Sequence, residues 1–212
     1  MKGAVPQSDA MSEGAVLGEF ADWLSGRGVP RDSAERLLEH ASVVPHAAGR
    51  RLFAAGEVPN TLYFVVRGLV RFYYLTPDGK EFNKNFVASG SVVTSLGSFL
   101  EGSPSPFFTE ALEDCVFVTY PMELARQLKE TDIVWERLVN GFITQLALKK
   151  ERREASFLLD SAMARYEAFL TDFPEIALHV PQYHIASYLG ITPVALSRIR
   201  ARRAGHGVLN PG

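Results

Sequence analysis

Apolar residues recur at helical spacing toward both ends of the chain and in short, turn-bounded runs between them, so helices are expected to flank a β-rich middle. Two short helical patterns come first, VLGEFADWLSG and PRDSAERLLEHAS, the second opened by Pro30 and carrying Leu37 and Leu38 for a buried face. Both should pack on the β domain. From about Val43 to Tyr120 the pattern becomes RRLFAAGE, TLYFVVRGLVRFYYLT, KEFNKNFV, SVVTSL and CVFVTY, rich in Val, Phe and Tyr and punctuated by Gly and Pro, which predicts a β barrel or roll. In TPDGKE, Pro77, Asp78 and Gly79 have the chemistry of a tight hairpin turn, which leaves Asp78 no catalytic task.

After Pro121 the period turns helical again. MELARQLKE is a short helix, and IVWERLVNGFITQLALKKERREASFLL contains no proline and is long enough for a helix of about seven turns. Within it Trp135, Val139, Phe142 and Leu146 form one apolar seam, suited to the chain's own β domain or to the same helix of a second copy. The mixed charges of Lys149 to Glu154 suit a solvated helix surface. SAMARYEAFLTDF is amphipathic, with Met163, Tyr166, Phe169 and Leu170 on one side, and Pro174 ends it.

The segment QYHIASYLGITPVALSRIRARR, Gln182 to Arg203, meets the local demands of a helix-turn-helix. Ile185, Leu189, Ile191, Leu196 and Ile199 supply core contacts, and Ala186 lets the two helices approach closely. Gly190 makes the turn, where a positive φ costs glycine nothing. Thr192 caps the second helix, and Pro193 at its first position gives up only a donor that has no partner there. No acid follows Pro193, while Arg198, Arg200, Arg202 and Arg203 suit phosphates and guanine edges. Gln182, Tyr183, Thr192, Val194, Ala195, Ser197 and these four arginines are the candidate DNA-binding residues, with His184 also placed for phosphate contact or as an ordinary surface residue.

VPQYHIASYLGITPVALSRIR, traced back through the β-rich middle, resembles the cyclic-AMP receptor and fumarate-nitrate regulator family of bacterial transcription factors over roughly residues 20 to 203. The resemblance implies an α+β architecture: an N-terminal cyclic-nucleotide-binding-like β-roll (a double-stranded β-helix), a long dimerisation helix and a C-terminal helix-turn-helix domain. It implies a homodimer on a palindromic operator in double-stranded DNA, with RNA polymerase as a further partner. It also favours the second-copy reading of the seam at Trp135, Val139, Phe142 and Leu146. The implied division is a disordered leader 1–14, a sensor domain 15–128, a dimerisation helix 129–159 and a DNA-binding domain 160–212. AGHGVLNPG is too short for a full β-hairpin wing, so a winged-helix-like head with a reduced or absent wing is expected.

Cyclic-nucleotide-binding relatives use a glutamate for the ribose and an arginine for the cyclic phosphate. Aligning Leu96, Gly97, Phe99 and Gly102 with that cassette puts Ser95 at the glutamate position and Ser105 and Pro106 at the arginine-serine pair. Neither serine supplies a charge-assisted bond, so cyclic AMP or GMP is not expected to bind in the usual mode. A different small-molecule effector is compatible with a pocket of Ser95, Leu96, Gly97, Ser98, Ser103, Ser105 and Pro106 beside Phe99 and Phe107, although the serines equally suit caps and turns.

Charge sharpens this picture. Residues 1–144 hold 13 Lys and Arg against 18 Asp and Glu, net −5, whereas residues 145–212 hold nine against six, net +3, so the basic end coincides with the helix-turn-helix. One cysteine, Cys115, excludes an internal disulfide and a four-thiolate iron–sulfur cluster, and its strand-like surroundings suit a buried thiol. No apolar stretch approaches the ~20 residues that span a bilayer and no signal-peptide core opens the chain, so a cytoplasmic protein with no membrane partner is expected. The five histidines lack ligand spacing, and no nucleophile triad, Walker loop or dinucleotide fingerprint is present, so no metal, no cofactor and no enzymatic activity are expected. The rival reading is a sensor module that regulates a partner protein without DNA.

Overall fold

A computed structural model describes residues 12–206. Helix α1 (Glu13–Ser25) starts at Ser12, whose Oγ accepts from the Ala15 amide, so the expected leader boundary at residue 14 falls inside a helix. Residues 1–11 of that leader and most of the tail expected to lack a wing lie outside the described residues. Val16, Phe20 and Leu24 recur every fourth residue and bury one face of α1, and α2 (Arg31–Leu38) buries Ala34 and Leu37 beside it.

Seven strands come next: β1 (Ser42–His46), β2 (Thr61–Arg67), β3 (Leu69–Leu75), β4 (Glu81–Ala88), β5 (Val92–Val93), β6 (Phe108–Ala111) and β7 (Cys115–Pro121). They form two antiparallel sheets, ordered β1-β7-β2-β5 and β4-β3-β6, facing each other across Val65, Val70, Phe72, Val87 and Phe117. The run TLYFVVRGLVRFYYLT serves both sheets because it breaks at Gly68 (φ 103°), where a Cβ would also collide with Cys115. Cys115 is buried, and burial raises its thiol pKa to about 11, the behaviour of a structural thiol.

RRLFAAGE is not a strand. Its Arg50 and Phe53 carbonyls accept from Ala111 and Thr109, but the turn at Gly56 (φ 88°) bends the segment out of any ladder. The strand in this region is β1, which includes Pro45; as an edge strand it loses no ladder bond to the missing amide.

The roll closes with α3 (Leu96–Glu101) between β5 and β6, and α4 (Met122–Thr131) leads into α5 (Ile133–Leu159), so the expected boundary at residue 128 cuts through α4. Asp132 caps α5 by accepting from the Val134 amide at 2.9 Å, and accepts at 2.7 Å from the Ser33 hydroxyl, which itself accepts at 2.8 Å from Trp135 Nε1. The start of α5 is thereby fixed to α2.

This anchoring takes Trp135 and Val139 of the expected seam into the chain's own core, while Phe142 remains 40% exposed. Trp135 is 4% exposed inside the chain's own core, Val139 packs on the same cluster, and Phe142 stacks on Trp23 at 5.7 Å with the rings 5° apart. Leu146 continues the line along the roll. The physical reason is that α1 and α2 supply aromatic and hydroxyl partners at the distance a second helix would need. Ile133, Leu148, Leu158 and Leu159 are instead left exposed on other faces of α5. The C-terminal head consists of α6 (Ala162–Asp172), α7 (Ile176–His179), α8 (Gln182–Leu189) and α9 (Pro193–His206).

Trp135→Ala is expected to lower unfolding free energy by ~3–5 kcal/mol through the cavity it opens, and Ser33→Ala by ~1–3 kcal/mol through the unsatisfied indole N–H. Urea titrations followed by circular dichroism should show both midpoints falling with the mass in solution unchanged, whereas a change of mass at wild-type stability would give Trp135 an intersubunit role.

Candidate DNA interface and sensor cavity

The head is organised from inside out. Tyr166 and Phe169 of α6, Ile185, Ala186 and Leu189 of α8, and Leu196 and Ile199 of α9 share one core with Phe173, Ile176 and Val180. Gly190 has the left-handed conformation the turn requires (φ 68°), and a Cβ there would meet the Phe157 ring at 2.8 Å. Thr192 Oγ1 accepts from the Ala195 amide at 3.1 Å and starts α9.

With Leu196 and Ile199 inside, Val194 (61% exposed), Ser197, Arg198, Arg200 and Arg202 lie on the outer face of α9, and Ala195 is half-buried. Thr192, Gln182 and Tyr183 are also exposed. Arg203 pairs with Glu167 of α6 at 2.9 Å; both side chains are half exposed, so this ion pair is weak and exchangeable.

His184 is neither a surface residue nor available to phosphate. It is 4% exposed because α8 lies against β4 of the roll. Asn83 on β4 donates from Nδ2 to the His184 carbonyl at 2.9 Å and from its amide to Ser187 Oγ at 2.9 Å, and Ser187 donates to the Glu81 carbonyl at 3.2 Å. Beneath them Arg71, 5% exposed, donates to Glu81 (2.6 Å), Glu110 (2.5 Å) and Asn83 Oδ1 (3.2 Å), with His184 Nδ1 at 3.5 Å. Burial, then the Arg71 charge, push the imidazole down to about 4. Beside this polar seat Phe86 packs on Phe169, Phe173 and Tyr188, and Arg153 of α5 lies 3.7 Å over the Tyr188 ring while donating to its carbonyl at 2.8 Å. Sequence reasoning missed Arg71, Asn83, Ser187 and Arg153, since nothing local to these residues signals a partner on a distant element.

The second candidate site is a cavity of about 530 Å³ between the roll and α5. Ser95, Leu96, Gly97, Ser103 and Pro106 line it as expected, but Ser98 and Ser105 do not. Both are buried and spend their hydroxyls on the chain: Ser98 donates to the Ser103 carbonyl at 2.7 Å, and Ser105 to the Phe107 carbonyl at 2.8 Å. Ser95 Oγ faces the Ser98 amide at 3.5 Å as the cap of α3. The remaining wall mixes aromatic side chains, Trp23, Phe72, Phe99, Phe107, Tyr120 and Phe142, with aliphatic ones such as Leu62, Val92, Leu138 and Ile143, and Lys84, Lys149 and Lys150 also line it. Among the described residues no group of three or more His, Cys, Asp or Glu is placed to hold a metal ion, and no helix is long and apolar enough to cross a membrane.

Comparison with known proteins bears on both sites. Residues 43–132, β1 through α4, match the cyclic nucleotide-binding domain family. The nitrogen fixation regulation protein FixK of Rhizobium meliloti is 28% identical over 168 residues, covering 74% of this chain and 72% of that protein. The structure of FixK2 from Bradyrhizobium japonicum aligns over 81% of this chain and 88% of that one, at 21% identity and a TM-score of 0.72. The neuropathy target esterase sws of Drosophila willistoni is 29% identical over 118 residues, 52% of this chain; the chain spans only 8% of that esterase, so the likeness is confined to the nucleotide-binding region. The middle of the protein is thus a cyclic nucleotide-binding domain. Over most of its length the chain has the fold of FixK2 and is similar in sequence to FixK.

The seat of α8 carries a pH signature. His184 titrates near 4 when buried but near 6.5 when exposed, so the unfolded chain binds more protons between those values. Its contribution to stability is therefore complete above about pH 6.5 and lost progressively as the pH falls toward 4. Unfolding free energies across that window should fall more steeply in wild type than in His184→Gln, by the uptake of about one proton. Parallel profiles would place His184 in water.

Proposed function

We propose that the protein is a transcription regulator that binds double-stranded DNA as a homodimer, with α9 in the major groove of each half-site. The observation that carries this reading is the outer face of α9, free of acid from Pro193 onward, which presents Val194, Ser197, Arg198, Arg200 and Arg202 on a helix-turn-helix whose second helix is capped by Thr192. Two linked heads are needed to span a palindrome, so dimerisation is assigned to α5, and specifically to its exposed face. Leu148 is the large apolar residue in the middle of that face, with Gly141 and Thr144 preceding it and permitting close approach of a second helix. Trp135 is already covered from within the chain, whereas Phe142 is stacked on Trp23 on one side and remains 40% exposed.

Selection from randomised duplexes tests DNA binding directly: recovery of a symmetric site supports the reading, and failure to enrich any sequence favours a sensor that acts on a partner protein. Arg198 is assigned to a guanine through O6 and N7, worth ~1–3 kcal/mol of discrimination, and Val194 to a thymine methyl. Arg198→Ala should lose preference at one base pair per half-site, while Arg202→Ala should weaken all sequences alike and reduce the slope of log affinity against log salt by about one. An unchanged selected site in Arg198→Ala would show that the helix lies differently in the groove.

Leu148→Glu should dissociate the dimer, read as halved mass by light scattering, and should weaken operator binding; Phe142→Glu should instead lower stability because it unstacks Trp23. If Phe142→Glu alone halved the mass, the assigned face of α5 would be wrong.

A further inference from the structure

Two polar groups of the sensor cavity are left without a partner of matching chemistry. Thr94, in the turn between β5 and α3, lines the cavity with its Oγ1 buried and lacking any hydrogen-bond partner. An orphaned buried hydroxyl is uncommon in a folded chain and marks a place where a further group completes the bond. Lys84 also lines the cavity. No carboxylate among the described residues lies within ion-pair distance of it; its ammonium instead sits 4.5 Å from the centre of the Phe107 ring and 5.7 Å from that of Phe72.

The backbone re-aims Lys84. Phe72 pairs with Asn85 and Tyr73 with Asn83, so Lys84 is the extra residue of a β-bulge with no partner across the ladder. Bulges turn side chains beside sites in this way. Burial, and then repulsion from Lys150 and Arg153, lowers the Lys84 pKa to about 8. A cation held half-buried among other cations, over aromatic rings, is an electrostatic deficit that an anion would relieve.

We propose that the cavity binds an organic monocarboxylate with an apolar, mainly aromatic body, its carboxylate on Lys84 and Lys150 and a hydroxyl or carbonyl on Thr94. The rings of Trp23, Phe72, Phe99 and Phe142 take the body, and the volume of about 530 Å³ is that of a pocket for a small metabolite. A nucleotide fits this wall poorly. Its sugar and cyclic phosphate need partners at the positions of Ser95 and Ser105, but Ser95 is uncharged and caps α3, and Ser105 lies outside the lining with its hydroxyl on the Phe107 carbonyl. Binding in this cavity uses α1, the roll and α5 and no residue of the head, so it stands or falls apart from DNA recognition.

The test is isothermal titration calorimetry of the full chain, without DNA, against naphthoate, hydroxynaphthoate, decanoate, the neutral naphthylmethanol and cyclic AMP. Saturable binding of naphthoate, tighter for hydroxynaphthoate, is expected. Preference for decanoate over both aromatic acids would overturn the aromatic assignment. Lys84→Met should weaken naphthoate about tenfold or more while Lys84→Arg retains it. Thr94→Val should remove the advantage of hydroxynaphthoate and leave naphthoate unchanged. Equal affinity for naphthylmethanol, undiminished binding by Lys84→Met with a wild-type melting profile, cyclic AMP binding more tightly than the acids, or no heat with any acid would each overturn the proposal.

Discussion

A guanidinium removed from water holds the two halves of this molecule together. Arg71 is buried under β3 and β4, and a charge there is tolerable only because two carboxylates and an amide take up its donors. That arrangement has a structural consequence beyond charge balance. By occupying Asn83 Oδ1 it turns the Nδ2 group toward α8, where it meets the His184 carbonyl. The position of the head is therefore set by a side chain that touches it only at the edge of one imidazole. Removing both glutamates would leave an uncompensated buried cation, which costs several kcal/mol, whereas removing one leaves the charge paired with the other.

The long helix α5 is constrained on one side and free on the other. Ser33, Trp23 and the aromatic wall of the roll claim its inner face, so any contact with a second copy must use residues that α1 and α2 do not reach. The same helix carries Arg153 to the Tyr188 carbonyl and Phe157 to the turn at Gly190. One rigid element thus touches the sensor, the cavity and the turn of the helix-turn-helix within its 27 residues. Rotation or sliding of α5 would be felt at all three.

The helix-turn-helix was legible in the sequence because its requirements are local: a left-handed corner that glycine occupies without strain, a hydroxyl cap three residues before its amide, and aliphatic residues at fixed offsets. The length of α5 was legible for the same reason. Its orientation was not, since a period identifies an apolar stripe without identifying what covers it, and here Trp23 and Ser33 lie about a hundred residues earlier in the chain. Pro45 and the Ala-Ala-Gly turn after Phe53 misled in opposite directions, because strand character at an edge depends on which amides face a neighbour. Of the seven residues expected around the cavity five line it, while Ser98 and Ser105 turn their hydroxyls onto backbone carbonyls that no pattern reveals. His184 was hidden likewise: only the packing of α8 on β4 places Arg71 beside it.

The bulge in β4 sets two consecutive residues to different tasks, with Asn83 bonded to the head and Lys84 standing over the cavity. A single peptide unit separates them, too short a span to absorb a displacement of one without moving the other. Linkage then runs in both directions by thermodynamic necessity: whatever free energy a cavity occupant transmits to the seating of α8, the release or retention of α8 returns to that occupant as an equal change in affinity. In a molecule wired this way the occupancy of the cavity is as much a report on the state of the head as the head is a report on the cavity.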